Sequence, residues 1–249
     1  MDHFKNLLDI AKDNLVFVLV IFLIVALFYF VAITGEKMIR IANINPGLTI
    51  GQNKNHVTKL VLIAMMSAIA IIMNLFSFET PLFPTFYKLD FSEIPILIVS
   101  FYLGPVAGVT SELLKVLLNI LINGTKTAFI GEFANFAIGC SFVLPAALFY
   151  RVIHSKKGAY IAVGVGTAFL VVFSLLFNAL YLLPAFADFY NRDLEDIIKM
   201  GTKINSNIDS ISTFLIFATL PVNLIKGVVC SVVTVIIYKP FSKVVNTLR

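Results

Sequence analysis

Seven stretches of this chain are apolar at nearly every position, and short polar connections separate them. They run approximately Leu15–Ile33, Thr58–Phe76, Ser92–Leu103, Val106–Ile122, Phe129–Tyr150, Tyr160–Pro184 and Ser212–Tyr238. A helix rises about 1.5 Å per residue, so roughly 20 apolar residues cross a hydrocarbon layer about 30 Å thick. Ser92–Leu103 is too short for that, and must be tilted with polar extensions or buried among its neighbours. Gly104-Pro105 breaks it from the next helix, and Gly104 and Gly108 form a small-xxx-small spacing that allows close helix approach. The first stretch is followed by Lys37 and Arg40 rather than a small-residue cleavage site, so it reads as a retained helix and not a secretory signal. The pattern predicts an all-α integral membrane protein.

Composition narrows this further. The 249 residues are 59% hydrophobic and 13% charged, which excludes an ordinary soluble domain. A net charge of +5 invites a nucleic-acid reading, but the basic residues are spread over short loops. That dispersal is a topology signal. Lys37, Arg40, Lys54 and Lys59, then Arg151, Lys156 and Lys157, then Lys239, Lys243 and Arg249 fall on alternate connections whose only acid is Glu36. The other connections carry Glu79, Asp90, Asp188, Asp193, Glu195, Asp196 and Asp209. The positive-inside rule then predicts a cytoplasmic C-terminus and, with seven spans, an extracellular N-terminus. Cys140 and Cys230 lie inside apolar segments and read as small packing residues. His3, His56 and His154 lack metal-ligand spacing, so no metal site is expected.

Two outer connections exceed what a turn requires. Ser77–Phe91 holds two prolines and several aromatics, and suits either a cap that stacks on a planar ligand or an interfacial anchor. Ala187–Ser210 places Leu194, Ile197 and Ile198 at helical spacing, which predicts a short amphipathic helix at the outer surface.

Polar side chains inside apolar helices carry the functional signal. A charge in hydrocarbon costs about 2.5–3.5 kcal/mol on insertion scales, so it is usually kept because it handles something polar. Asn223 and Lys226 are three apart and share a helix face. Lys226 has no acid within a turn of its own span, so it must snorkel, pair across helices or meet a ligand. Asn178 admits either an interhelical hydrogen bond or a ligand contact. Glu112 and Lys115, also three apart, read best as a self-neutralised pair. Glu132 and Asn135, near an outer helix end, are either interfacial or part of a site. Ala64 and Ala68, with Ser67 beside them, leave a flat strip suited to another helix at close range.

Taken in order, these segments resemble the substrate-binding S components of energy-coupling factor (ECF) vitamin transporters, and the riboflavin-specific ones in particular. The resemblance rests on Phe86-Tyr87-Lys88-Leu89-Asp90-Phe91-Ser92-Glu93-Ile94-Pro95, on Leu103 to Gly108, on Gly131 to Phe136 and on Pro221 to Lys226. It covers about Val57 to Tyr238. It implies a six-helix core at 57–249 preceded by an extra transmembrane helix and loop at 1–56, the role of which the resemblance does not supply. It further implies that the loop after the first core helix is a lid, with Leu82, Phe83, Thr85, Phe86 and Lys88 as candidate substrate contacts. Asn178, Asn223 and Lys226 would meet riboflavin, with Glu132 and Asn135 beside them. Ala64 and Ala68 would dock on a shared transmembrane coupling subunit, itself driven by two ABC-type ATPases.

The chain carries no phosphate loop of the Gly-x-x-x-x-Gly-Lys-Ser/Thr type, so energy for uptake must come from such partners. An intramembrane enzyme is disfavoured: His-Glu-x-x-His is absent, as are a Ser/His pair within the spans and an Asp pair facing across helices. The expected role is riboflavin capture for ATP-driven import across a bacterial cell membrane, with no intrinsic cofactor. The alternatives are an S component for FMN or another vitamin, or an assembly protein whose polar groups only hold helices together.

Overall fold

A computed structural model describes residues 15–42, 44, 55–84 and 87–247. Apolar composition and helical propensity give ten α-helices and one small hairpin among these residues. Helix α1 (Leu15–Ile41) precedes α2 (His56–Leu75), which leads into strands β1 (Phe78–Glu79) and β2 (Lys88–Leu89). Then come α3 (Glu93–Leu103), α4 (Pro105–Asn123), α5 (Ile130–Val152), α6 (Lys156–Phe177), α7 (Leu183–Phe189), α8 (Leu194–Thr202), α9 (Ile211–Phe214) and α10 (Leu220–Thr247). Helices α6 and α7 form one continuous rod through a π-helical turn at Asn178–Leu182; α9 and α10 do the same through Leu215–Thr219. Among the described residues, six helices are long and apolar enough to cross a membrane, and α3 is a shorter apolar one.

Helix α3 resolves the alternative left open by its length. Ten of its eleven residues are buried, so it is enclosed by its neighbours and needs no polar extensions. Its Ile96, Leu97, Phe101 and Tyr102 centre the main apolar cluster, with Phe142 and Tyr150 of α5, Leu170 of α6 and Tyr238 of α10. The rings of Phe101 and Tyr150 stack at 4.3 Å. Gly108 makes this enclosure possible. A Cβ there would lie 2.7 Å from both Ser100 Cβ and Val143 Cγ1, so only glycine lets α4 lie this close to α3 and α5.

Helix α1 presents one stripe to the bundle and the rest outward. Val25, Phe28, Tyr29 and Ala32 pack on Val109 and Val116 of α4 and on Phe136 and Cys140 of α5. Its Tyr29 hydroxyl donates to Thr110 Oγ1 at 3.0 Å, and Glu36 Oε1 accepts from the Val106 amide at 3.2 Å, at the N-terminus of α4 where amides lack helical partners. Near its N-terminal end Phe17 meets Phe133 edge-on and stacks on Tyr181. The predicted amphipathic helix corresponds to α8, which buries Ile197 against Ile208 and Phe214.

Candidate functional site

At one end of the bundle the helices enclose a cavity of about 810 Å³ under the β1–β2 hairpin. One wall is apolar and aromatic: Tyr87, Leu182, Phe186, Tyr190 and Val222. The other is polar: Asn74, Asn119, Asn123, Glu132 and Asn135. Lys88, Asp90, Asn223 and Lys226 also line it. A pocket of this size, lined by both apolar and polar side chains, suits a small organic molecule with both kinds of surface.

Lys226 pairs across helices. Its Nζ lies 3.0 Å from Asp90 Oδ2 and 3.0 Å from Glu93 Oε1. Lys115 continues the chain, 3.2 Å from Glu93 Oε1 and 2.7 Å from Glu112 Oε2. The predicted Glu112–Lys115 pair is therefore one end of a five-member buried network that reaches the cavity at Asp90 and Lys226. Burial pushes the Asp90 carboxyl up, but Lys226, Lys115 and the hydrogen bond from Ser92 outweigh it and hold it well below the usual carboxylate range. The Ser92 amide and hydroxyl both donate to Asp90 Oδ1, fixing the carboxylate at the start of α3. Gly139 makes room for the far end: a Cβ there would sit 2.6 Å from Glu112 Oε1.

Tyr87 joins the hairpin to both π-helical turns. Its hydroxyl donates to Asn178 Oδ1 at 2.7 Å and lies 2.6 Å from Thr219 Oγ1. Burial raises its phenol above the ordinary value, so it remains a donor at physiological pH. Asn178 is fully buried, and its amide donates to the Ser174 carbonyl at 2.7 Å. It stands behind Tyr87 and outside the cavity lining. Asn223 does line the cavity, and donates to the Thr219 carbonyl at 2.9 Å.

The remaining sequence-selected residues divide. Glu132 lines the cavity and accepts from Thr125 Oγ1 at 3.0 Å; Asn135 lines it with no hydrogen-bond partner for its Oδ1. Lys88 lines it while facing Glu79 across the hairpin at 3.4 Å, a half-exposed pair worth little. Leu82 is 70% exposed and Phe83 packs against Leu89 and Val222, so neither lines the cavity. Thr85 and Phe86 lie outside the described residues. Ala64 and Ala68 are both exposed on α2. Sequence reasoning did not select Asn74, Asn119 and Asn123 as site residues. Their signal was position, since each falls in the last two turns of an apolar helix at the same end of the bundle.

A helical membrane protein with a ligand-sized cavity at its loop-covered end has the form of a substrate-binding subunit. The match to known families agrees. Residues 58–238 match the family described as ECF transporter, substrate-specific component, and the chain belongs to that family. It is 33% identical to the riboflavin transporter FmnP of Bacillus subtilis over 73% of this chain and 90% of that one. It is likewise 33% identical to the riboflavin transporter RibU of Staphylococcus aureus, over 77% of this chain and 92% of that one. A solved S component of a bacterial ECF transporter superposes with a TM-score of 0.60 at 31% identity, covering 78% of this chain and 99% of the other. The chain is thus a multi-pass membrane protein of a transporter family rather than an enzyme.

Proposed function

We propose that this protein captures riboflavin from outside the cell and delivers it for ATP-driven uptake. The observation that carries the reading is the cavity's two-sided lining. Riboflavin joins a flat, largely apolar ring system, with carbonyl and N–H groups along one edge, to a chain of hydroxyls. A lining that combines aromatic side chains with several carboxamides complements both halves. The names of the relatives point to the same ligand. In this reading Asn223 and Lys226 meet the ligand directly. Asn178 acts through Tyr87, and the hairpin over the cavity serves as the lid.

The exposed Ala64 and Ala68 would form the contact for a transmembrane coupling subunit driven by two ABC-type ATPases. The orientation follows the loop charges, with the cavity outside, the C-terminus in the cytoplasm and the N-terminus outside. The binding unit would be residues 57–249, with 1–56 an added helix and loop.

An absorption spectrum of the protein purified from riboflavin-fed cells, followed by calorimetric titration of the stripped protein, tests the reading. Bound flavin and saturable riboflavin binding are expected. A protein that purifies colourless and gives no heat with riboflavin overturns it.

A further inference from the structure

The polar wall of the cavity deepens into an annex of about 70 Å³, bordered by Asn74, Lys115, Asn119, Glu132 and Asn135. It lies between the outer ends of α2, α4 and α5, away from the aromatic wall that α7 and α10 contribute to. A tricyclic ring cannot enter a space of this size, whereas the end of a hydroxyl chain can. Three carboxamides suit hydroxyl groups, because each hydroxyl and each amide both donates and accepts. Asn135 Oδ1, buried without a partner, is the acceptor such a chain would satisfy. A buried polar atom left so is uncommon and calls for a ligand or water.

The charge of the annex excludes as well as admits. Glu132 places a carboxylate on its border, accepting from Thr125 and Thr127. Lys115 borders it too, yet its ammonium is already engaged by Glu112, Glu93 and the Ser92 hydroxyl at 2.7, 3.2 and 3.2 Å. No uncommitted cation faces Glu132 among the residues that border the annex.

Resting on the riboflavin reading above, we propose that this annex holds the neutral polyol tail of the flavin. Asn119 and Asn135 recognise its hydroxyls, and Glu132 disfavours a terminal phosphate, so the site selects the dephosphorylated vitamin over FMN. A phosphate brings between one and two negative charges at neutral pH and three acceptor oxygens, none of which the carboxylate can satisfy.

Three probes separate the parts of the ligand: riboflavin, lumiflavin (the same ring with a methyl group in place of the tail) and FMN. Flavin fluorescence titrations of the wild type, Asn135→Leu and Glu132→Gln read all three. Asn135→Leu should weaken riboflavin about 5- to 10-fold while lumiflavin stays within about twofold, because only the tail loses a partner. Glu132→Gln is nearly isosteric and should raise FMN affinity relative to riboflavin by about tenfold. Lumiflavin binding to each variant also verifies that it has folded. Equal weakening of lumiflavin and riboflavin by Asn135→Leu overturns the tail assignment, and an unchanged FMN-to-riboflavin ratio in Glu132→Gln overturns the phosphate exclusion. If Lys126→Ala, on the exposed wall of the main cavity, selectively loses FMN, the phosphate sits at the rim and the annex is not its site. Failure of the wild type to bind any of the three probes would instead overturn the riboflavin reading itself.

Discussion

The phenolic hydroxyl of Tyr87 donates to Oδ1 of Asn178 across 2.7 Å, joining the hairpin to the π-helical turn between α6 and α7. Ninety-one positions separate the two residues, and the same hydroxyl reaches Thr219 in the turn between α9 and α10. One side chain therefore ties the proposed lid to two helical rods.

Tyr87→Phe removes this tie and leaves the buried Asn178 Oδ1 without its donor. An unsatisfied buried group costs about 1–3 kcal/mol. Riboflavin should dissociate at least about fivefold faster, with a smaller change in association, in stopped-flow fluorescence. An unaltered dissociation rate would show that the tie does not hold the lid over the ligand.

Asn223→Leu keeps the helix and removes an amide from the cavity. Riboflavin affinity should fall about 5- to 150-fold, with the melting temperature changed little. Normal affinity with a lowered melting temperature would make Asn223 a packing element serving the Thr219 carbonyl.

Lys226→Met has a structural cost as well as a ligand cost. It strips Asp90 and Glu93 of a counter-ion in a buried network, and breaking such a pair by removing one partner costs about 3–5 kcal/mol. Thermal melting should drop markedly, and the double variant Asp90→Asn/Lys226→Met should recover part of the loss. The carboxyl of Asp90 is held below its ordinary value, so its stabilising contribution is complete above that value and disappears as pH falls through the lower folded one. The wild-type melting temperature should accordingly stay flat from about pH 8 to 5, as far as Asp90 governs it, and decline only in stronger acid. A single variant as stable as the wild type would mean the network contributes nothing to the fold.

Ala64→Leu or Ala68→Leu fills the exposed strip on α2 while leaving the cavity lining intact. Riboflavin binding to the isolated protein should persist and ATP-dependent uptake in cells should be lost. Normal uptake by both variants would remove this strip from the coupling contact.

Deleting residues before His56 removes every contact α1 makes with α4 and α5 but, among the described residues, none that lines the cavity. The truncated protein should melt lower by several degrees, having lost the Tyr29–Thr110 bond and the apolar stripe, yet bind riboflavin within about tenfold of the full chain. A folded truncation that binds no flavin would place α1 within the binding unit, through Phe17 and the wall behind Phe133.

Periodicity and charge made the helical spans and the extra first helix legible, because a membrane helix must satisfy its own backbone over a fixed length. The resemblance supplied the riboflavin class. The partners of Lys226 were harder to see. Asp90 lies 136 positions away, and sequence spacing reports neighbours only within one helix. For the same reason Glu112–Lys115 reads as an isolated pair when it is the inner end of a longer chain of charges. Asn178 illustrates the opposite limit. Its polarity was visible, but its position behind Tyr87 depends on a π-helical turn that no spacing rule encodes. Leu82 and Phe83 sit in the same connection, and only tertiary packing decides that one faces outward and the other is buried.

Helix α3 also constrains how the protein enters the membrane. Its eleven residues extend about 16 Å, roughly half a hydrocarbon layer, and they carry Glu93, whose charge meets Lys115 of α4. Helix α3 is poorly suited to partition into lipid alone, since it would bring Glu93 uncompensated, whereas α4 carries its own Glu112–Lys115 pair. Joined by Gly104 with its positive φ and by Pro105 at the head of α4, they form a hairpin in which Lys115 serves both Glu93 and Glu112. The two segments are therefore a single insertion unit: a translocon that released α3 before α4 had emerged would leave a half-length charged helix with no stable depth in the bilayer.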